Sequence, residues 1–283
     1  MQHPARTPTT KAALARQRGF TLIELVMVIV IMGIIGSIVA VFMRQPIDAY
    51  FDSARRAGMT DIADTAVRRM GRDIRKALPN SVRIPNASCL EFIPTKTGGR
   101  YRAEDAVSGD GSALSFAAAD TSFNMLGSNN ALPLDQRIAQ NDVIAVYNLG
   151  IAGADAYAEE NTSRVSGAPV DGTETTIAID SKLFPLPSGG SRFQVVPSGE
   201  KVVAYVCTGG NLRRTASSSF YSASSPSVCP SSGPILASNI TSCSFDYSGS
   251  DLQRNALIRV VMQIQQKDES VNLYHEIHVN NTP

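Results

Sequence analysis

The chain of 283 residues is 43% hydrophobic and 18% charged, with 26 basic and 25 acidic side chains. This composition excludes a disordered or collagen-like chain, and a net charge of +1 excludes a bulk field that would draw the whole molecule onto nucleic acid. With no tryptophan and three histidines, the chain offers little for a tryptophan-lined sugar site or a multi-histidine metal site.

The N-terminal segment predicts a short basic leader at residues 1–19 followed by a membrane span at residues 20–45. The leader holds four cations and no acid. Residues 20–43 form an apolar run in which Glu24 is the only ionisable side chain. A helix of that length covers roughly 36 Å, enough to cross a hydrocarbon core of about 30 Å. The positive-inside rule leaves the leader in the cytoplasm and exports the remainder to the periplasm.

A secretory signal peptide is the alternative interpretation of this segment. Its apolar stretch would be about 7 to 15 residues and would end at small residues. The run here is longer. In addition, a carboxylate at membrane depth costs a few kcal/mol unless it is paired. Glu24 is therefore expected to have a partner.

The hexapeptide GFTLIE at residues 19–24 resembles the cleavage and methylation motif of type IV prepilins and type II secretion pseudopilins. The resemblance implies that a membrane prepilin peptidase cuts between Gly19 and Phe20 and methylates the new amine of Phe20. It also implies an assembly role for Glu24, whose carboxylate would pair with a Phe20 ammonium of another subunit or of its own chain. A glutamate that only caps the helix is the structural alternative.

The apolar helix contains three small residues, Gly33, Gly36 and Ser37. They either let neighbouring helices approach closely or weaken the helix during assembly. Pro46 predicts a kink, because proline removes a backbone hydrogen bond.

Residues 46–80 predict an amphipathic helix, closed by Pro79, Asn80 and Pro85. Three ion pairs between residues four apart are expected on its polar face: Asp52 with Arg56, Asp64 with Arg68, and Arg69 with Asp73. Its apolar face is predicted to consist of Ile47, Tyr50, Phe51, Ala54, Ile62, Ala66, Met70, Ile74 and Leu78.

The remainder, residues 81–283, predicts a β-rich periplasmic domain, so the expected fold class is α+β: a pilin-like long N-terminal helix packed on an antiparallel sheet. The last two predicted strands form a hairpin. The predicted strands are residues 89–93, 114–117, 142–148, 175–179, 192–196, 201–207, 241–247, 256–265 and 271–279.

All four cysteines lie on the exported side of the span. An even number in an oxidising compartment predicts two disulfides with three possible connectivities. We expect Cys207 with Cys229 and Cys89 with Cys243. Zinc is the alternative, but no C-x-x-C or histidine cluster accompanies these residues. Neither a metal nor a cofactor is expected.

Other candidate chemistry is sparse. His275 and His278 would point to opposite faces of a strand. Glu104, Asp105 and Asp110 offer oxygens to calcium, although such a loop is more often simply solvated. The sequence has no G-x-S-x-G elbow, phosphate-binding glycine loop, or basic and aromatic stripe, so neither an enzyme nor a nucleic-acid partner is indicated.

Three further segments, residues 89–95, 241–247 and 275–283, look like parts of minor pilins of the mannose-sensitive haemagglutinin (MSHA) pilus. This resemblance implies a structural subunit that helps initiate or cap a filament. Its partners would be the prepilin peptidase, other major and minor pilins, the inner-membrane assembly platform and the lipid bilayer. A minor pseudopilin of a type II secretion system, a membrane-anchored periplasmic binding module and a DNA-uptake tip pilin are the alternatives.

Overall fold

The computed structural model describes residues 19–220, 229–248 and 255–283. The predicted leader lies outside these residues except for Gly19. The chain divides into two units, one ending at Ser53 and the other comprising Ala54–Pro283.

The helix α1 comprises Leu22–Ile74 and includes Pro46. Every residue at positions 19–51 is exposed. By length and composition, α1 can cross a membrane, and it is the one such helix in the described part of the chain.

The second half of α1 is amphipathic, as predicted, but with a shifted face. Ala66, Met70 and Ile74 are buried, which confirms these three predicted positions. Ile62 is 39% exposed, whereas Met59 and Ala63 are buried. Met59 and Ala63 lie four residues apart on the same helix face as Ile74, whereas Ile62 lies at the edge of that face. The predicted apolar positions Ile47, Tyr50 and Phe51 are exposed.

The helix ends at Ile74, earlier than the sequence predicts. The Leu78 N–H donates to the Ile93 carbonyl at 2.7 Å, and the Thr95 N–H donates to the Lys76 carbonyl at 2.8 Å. Ala77 forms an isolated bridge with Pro94. Because the backbone of residues 76–78 is hydrogen-bonded to residues 93–95, it cannot also form the bonds of a continuing helix.

One of the ion pairs predicted on α1 is present, and two further charged contacts join this helix to distant residues. Arg68 Nε donates to Asp64 Oδ2 at 2.5 Å, which confirms that pair. Arg56 pairs with Glu269, and Asp73 accepts a bond from Arg214. These last two contacts tie the helix to strands far away in sequence.

Fifteen antiparallel-paired strands follow in the described residues, so the predicted α+β class is confirmed. The hairpin predicted near the C-terminus forms, with Lys267 at φ 55° in its turn. The strands are β1 Arg83–Asn86, β2 Cys89–Phe92, β3 Thr97–Arg100, β4 Asp120–Met125, β5 Val143–Ala145, β6 Thr162–Arg164, β7 Val170–Asp171, β8 Thr175–Lys182, β9 Arg192–Val196, β10 Val202–Thr208, β11 Asn211–Ser217, β12 Ile235–Ser238, β13 Ile240–Ser248, β14 Asn255–Gln266 and β15 Glu269–Asn280.

The strands form four sheets that belong to two lobes. The orders β1-β2-β10-β11-β12 and β13-β14-β15 define the first two sheets. They share a core with α1 that includes Met70, Phe92, Tyr205 and Val260. The orders β3-β9-β5-β6 and β4-β8-β7 define the other two, which enclose a separate core. Since both of these sheets come from the chain between β2 and β10, this lobe is an insertion into the first sheet.

The strand predicted at residues 114–117 is wrong, and β4 forms just after it. Ser115 N–H donates to Asp120 Oδ2 at 3.0 Å, and the Ala117 and Ala118 N–H groups donate to Ser115 Oγ. Because these local bonds occupy the donors that a ladder would need, the segment forms turns.

Candidate processing and assembly segment

A capping box opens α1 at the sequence motif. Glu24 Oε2 accepts hydrogen bonds from the Thr21 N–H and hydroxyl, each at 3.1 Å, and the Glu24 N–H donates to Thr21 Oγ1 at 3.3 Å. The Leu25 N–H donates to the Thr21 carbonyl, which starts the helical ladder. This reciprocal pairing satisfies donors that a helix start leaves free. It also places the Glu24 carboxylate on the backbone N–H of Thr21, the residue that follows Phe20.

Gly19 and Phe20 precede the helix in open surroundings. Phe20 is 87% exposed. A Cβ added at Gly19 would meet nothing within 4 Å among the described residues, and the φ of Gly19 lies outside the left-handed region. The described fold therefore imposes no requirement for glycine at this position.

The apolar surface of α1 continues without cover from Leu22 to Phe51. Gly33 and Gly36 leave shallow places on it, since an added Cβ would again meet nothing within 4 Å outside its own helix. The Ser37 hydroxyl donates to the Ile34 carbonyl at 2.8 Å and so is satisfied within the helix. A surface of this extent requires lipid or other apolar helices around it.

A charged network fastens the end of α1 to the first sheet. Asp73 Oδ2 accepts bonds from Tyr205 Oη and Arg214 Nε, each at 2.8 Å. The Arg214 guanidinium also makes two 2.9 Å bonds to the Glu200 carboxylate. Hydrogen bonding to Arg214 lowers the pKa of Glu200, and burial raises the pKa of Tyr205. Sequence reasoning missed this network, because its members lie between positions 73 and 214 and no local pattern links them.

The disulfides differ from the predicted pairing. The structure joins Cys89 with Cys229 and Cys207 with Cys243, with Cα–Cα distances of 6.0 and 6.2 Å. The reason is strand register: Cys89 lies opposite Val206, so Cys207 points to the other face of the sheet. Cys207 packs on the face that meets α1 and β13, and Cys89 packs on the opposite face. The expected pairs would each have had to cross the sheet.

A buried ion pair adjoins the first disulfide. Glu91 is fully buried, and its Oε2 accepts a 2.9 Å bond from Arg83 Nε. The Arg83 guanidinium lies 3.6 Å from the ring centroid of Tyr157. Burial raises the pKa of Glu91 and outweighs the lowering by Arg83. The signal in the sequence was an acid between Leu90 and Phe92, in a strand that otherwise predicts burial.

The remaining candidate ligands are not brought together. His275 and His278 are three residues apart on β15, and so lie on opposite faces as predicted. The Asp105 carboxylate accepts bonds from the Gly109 and Ala113 N–H groups. The Asp110 carboxylate accepts bonds from the Val107 and Ser112 N–H groups. These two acids therefore stabilise their own loop.

Comparison with known families gives a match to the N-terminal segment. Residues 14–40 match the family model described as the prokaryotic N-terminal methylation motif. No curated protein and no solved structure matches the chain. The matched residues contain Gly19, Phe20 and Glu24 and most of the apolar helix. The motif implies processing by a prepilin peptidase and assembly with other pilins, and with the apolar helix it indicates a membrane anchor. The chain thus carries the N-terminal methylation motif that is typical of type IV pilin-like proteins, which supports a prepilin or pseudopilin relationship.

Proposed function

We propose that this chain is a minor type IV pilin of an MSHA-type pilus, of the MshO type, which helps initiate or cap the filament. The observation that carries the pilin-like role is the methylation motif at residues 14–40, and the MSHA assignment is proposed from the resemblance of residues 89–95, 241–247 and 275–283. The motif coincides with a helix whose first thirty residues are all exposed. The role is structural rather than enzymatic.

In this proposal the peptidase cuts between Gly19 and Phe20 and methylates the Phe20 amine. The open surroundings of both residues support access by a protease. The described fold does not need glycine at position 19. A glycine there is therefore consistent with a requirement of the peptidase, since glycine lets an extended backbone enter a narrow active site. The products would be a leader of residues 1–19 and a mature chain that begins at Phe20.

Glu24 would then neutralise a Phe20 ammonium between subunits. Its carboxylate is the one ionisable group in residues 20–43, and pairing lowers the cost of both charges in an apolar setting. The capping box supports a helix start that is already ordered before assembly. Other pilins would cover the apolar surface after it leaves the bilayer.

The proposed topology places residues 1–19 in the cytoplasm, residues 20–45 in the inner membrane, and residues 46–80 and the domain at 81–283 in the periplasm. Export of that domain is supported by its four cysteines, all joined in disulfides, because such bonds persist in oxidising compartments. The proposed partners are the prepilin peptidase, sibling pilins, the assembly platform and the bilayer.

A terminal position in the filament is supported by the inserted lobe with its own core. A subunit at a filament end has neighbours on one side only, so it accommodates an added lobe more readily than a subunit at every repeat.

The test is mass spectrometry of the mature N-terminus, with N-methyl-phenylalanine at Phe20 as the expected result. A chain that starts at Met1 or is cut elsewhere in cells with working filaments would overturn the proposal. Glu24→Val should leave membrane insertion intact and abolish incorporation into filaments. Deletion of the gene should remove pili and adhesion. Loss of enzyme export with normal pili would instead identify a type II secretion pseudopilin.

A further inference from the structure

Glu91 lies beside the Cys89–Cys229 disulfide, and only one of its two carboxylate oxygens is hydrogen-bonded within the part of the chain that the structure describes. A carboxylate oxygen of Glu91 and both sulfurs lie within 4.8 Å of one another. Glu91 Oε1 is buried and has no hydrogen-bond partner among the described residues. Arg83 Nε donates only to Oε2, so one oxygen of a carboxylate that lies beside the disulfide has no hydrogen bond from the described chain. The two sulfurs are bonded to each other, so the cluster is not a set of metal ligands in this form.

We propose that Glu91 is the proton acceptor and donor for Cys89 in thiol–disulfide exchange at the Cys89–Cys229 bond. The buried disulfide thus carries an acid–base group on its own strand, two residues from Cys89. This role is independent of the function proposed above.

The two sulfurs differ in access, which fixes the order of attack. Cys89 is fully buried, whereas Cys229 is partly exposed and accepts a 3.5 Å bond from Asn86 Nδ2. An external oxidant or reductant therefore reacts at Cys229, and Cys89 is the group that must gain or lose a proton away from bulk water. A thiolate is the reactive form of cysteine, and burial disfavours it.

Oxidation of the Cys89 and Cys229 thiols proceeds in two exchange steps. The Cys229 thiolate, having lost its proton to water, attacks a disulfide oxidant, forms a mixed disulfide and releases one thiolate. Glu91 takes the proton of the Cys89 thiol, and the Cys89 sulfur attacks Cys229. The new S–S bond forms, the mixed disulfide breaks, and its electron pair leaves on the second thiolate of the oxidant. The protein loses two electrons, which the oxidant gains. Reduction by a dithiol runs through the same steps in reverse.

The charges nearby favour this transfer. Arg83 lies beside Glu91 and above the Tyr157 ring. Before transfer the guanidinium pairs with the Glu91 carboxylate; after it the carboxyl is neutral and the negative charge lies on the Cys89 sulfur, which groups with that carboxyl. The transfer moves one negative charge within the site and changes neither the net charge nor the neighbouring Asp155, which also interacts with Arg83.

The second disulfide supplies an internal control. Cys207 and Cys243 are both partly exposed. No aspartate, glutamate or histidine among the described residues groups with their two sulfurs as Glu91 does with the first pair. Both pairs can be followed in one sample.

The experiment uses the full chain in detergent micelles, reduced with dithiothreitol, desalted, and reoxidised with glutathione disulfide. Samples are quenched by alkylation, and each pair is quantified by peptide mass spectrometry. In Glu91→Gln, formation of Cys89–Cys229 should slow roughly tenfold or more, as for loss of a general base, while Cys207–Cys243 forms at the wild-type rate. Equal rates in wild type and variant, or equal slowing of both pairs, would overturn the proposal.

The matched control is Glu174→Gln, which neutralises another glutamate paired with an arginine, Arg102. It should change neither rate. If Glu91→Gln does not fold, Glu91→Asp retains a carboxylate withdrawn by one methylene and should slow the first pair alone. The role would also be rejected if the rate of the Cys89–Cys229 pair relative to that of the Cys207–Cys243 pair were the same in Glu91→Asp as in wild type, in both oxidation and dithiothreitol reduction.

Discussion

The Tyr205 hydroxyl donates a 2.8 Å hydrogen bond to Asp73 Oδ2, which links the last turn of α1 to the middle of β10. Arg214 on β11 donates to the same oxygen and also holds Glu200. Asp73 lies only one residue before the end of the helix. The network therefore fixes where the helix stops on the sheet, in addition to the apolar contacts of Met70 and Ile74.

Removing either member of this bond should destabilise the folded domain by different amounts. Tyr205→Phe deletes one donor and should cost about 1 kcal/mol of unfolding free energy. Asp73→Ala should cost about 2–3 kcal/mol, because it leaves Tyr205 and part of the Arg214 guanidinium without an acceptor. Denaturant unfolding of the full chain in detergent measures both. Asp61→Ala, at an exposed position of the same helix, should stay within about 0.5 kcal/mol of wild type. Equal losses for the two aspartate variants would contradict the network.

The Glu200–Arg214 pair predicts a pH dependence of stability at the acid end. Hydrogen bonding to Arg214 lowers the pKa of Glu200 below the ordinary value of 4.5. The unfolded chain then binds a proton at a higher pH than the folded chain. The pair's contribution is present above about pH 4.5 and is lost as the pH falls through the folded pKa. Stability measured from pH 6 downwards should fall less steeply in Glu200→Gln than in wild type. Parallel curves would show that the pair contributes nothing.

The two disulfides should contribute unequally. Cys89–Cys229 closes a separation of 140 residues and Cys207–Cys243 one of 36. The chain-entropy relation gives about 5 and about 4 kcal/mol for loops of these sizes, each taken alone. The double variant Cys89→Ala, Cys229→Ala should therefore lose more unfolding free energy than Cys207→Ala, Cys243→Ala. Thermal and denaturant melts of the two variants test the order, and the reverse order would show that packing, rather than loop closure, dominates.

The sequence was sufficient for elements whose pattern is local and strong. The apolar run of α1 and the alternating strands of the β14–β15 hairpin needed no partner to be recognised. The short strands β1, β3 and β7 were missed, because RIPN, TGGR and VD carry no periodicity. Only β3 pairs with a strand far away in sequence, since β1 and β7 pair with the strands that follow them.

The disulfide connectivity depended on information that the sequence does not display. Cys89 lies opposite Val206, and a shift of that register by one residue would have turned Cys207 to the face of Cys89. The roles of Gly19, Phe20 and Glu24 are predicted from the motif alone and stay predictions. The capping bonds of Thr21 and the buried Glu91 needed coordinates.

Gly19→Val should block processing without altering the fold. An added Cβ meets nothing within 4 Å among the described residues, so the unfolding free energy should stay within about 0.5 kcal/mol of wild type. In cells the variant should accumulate as a membrane-inserted chain that retains residues 1–19, as measured by intact mass. Gly33→Ala, at another open glycine within α1, is the matched control and should be processed normally. Normal processing of Gly19→Val would show that the peptidase does not require this residue.

Glu24→Gln separates the helix cap that the Glu24 carboxylate forms from its proposed pairing with a Phe20 ammonium. Glutamine still accepts the Thr21 bonds of a capping box, so the helix start should persist, but the negative charge is lost. If the charge pairs with a Phe20 ammonium, Glu24→Gln should insert into the membrane yet fail to enter filaments, as expected for Glu24→Val. Thr21→Val is the converse variant: it removes the side-chain cap, at about 1 kcal/mol, and keeps the charge, so it should assemble near the wild-type level. Immunoblots of sheared filaments and of membranes distinguish the cases. Assembly of Glu24→Gln at the wild-type level, with failure of Thr21→Val, would mean that Glu24 serves the helix cap and not the neighbouring subunit.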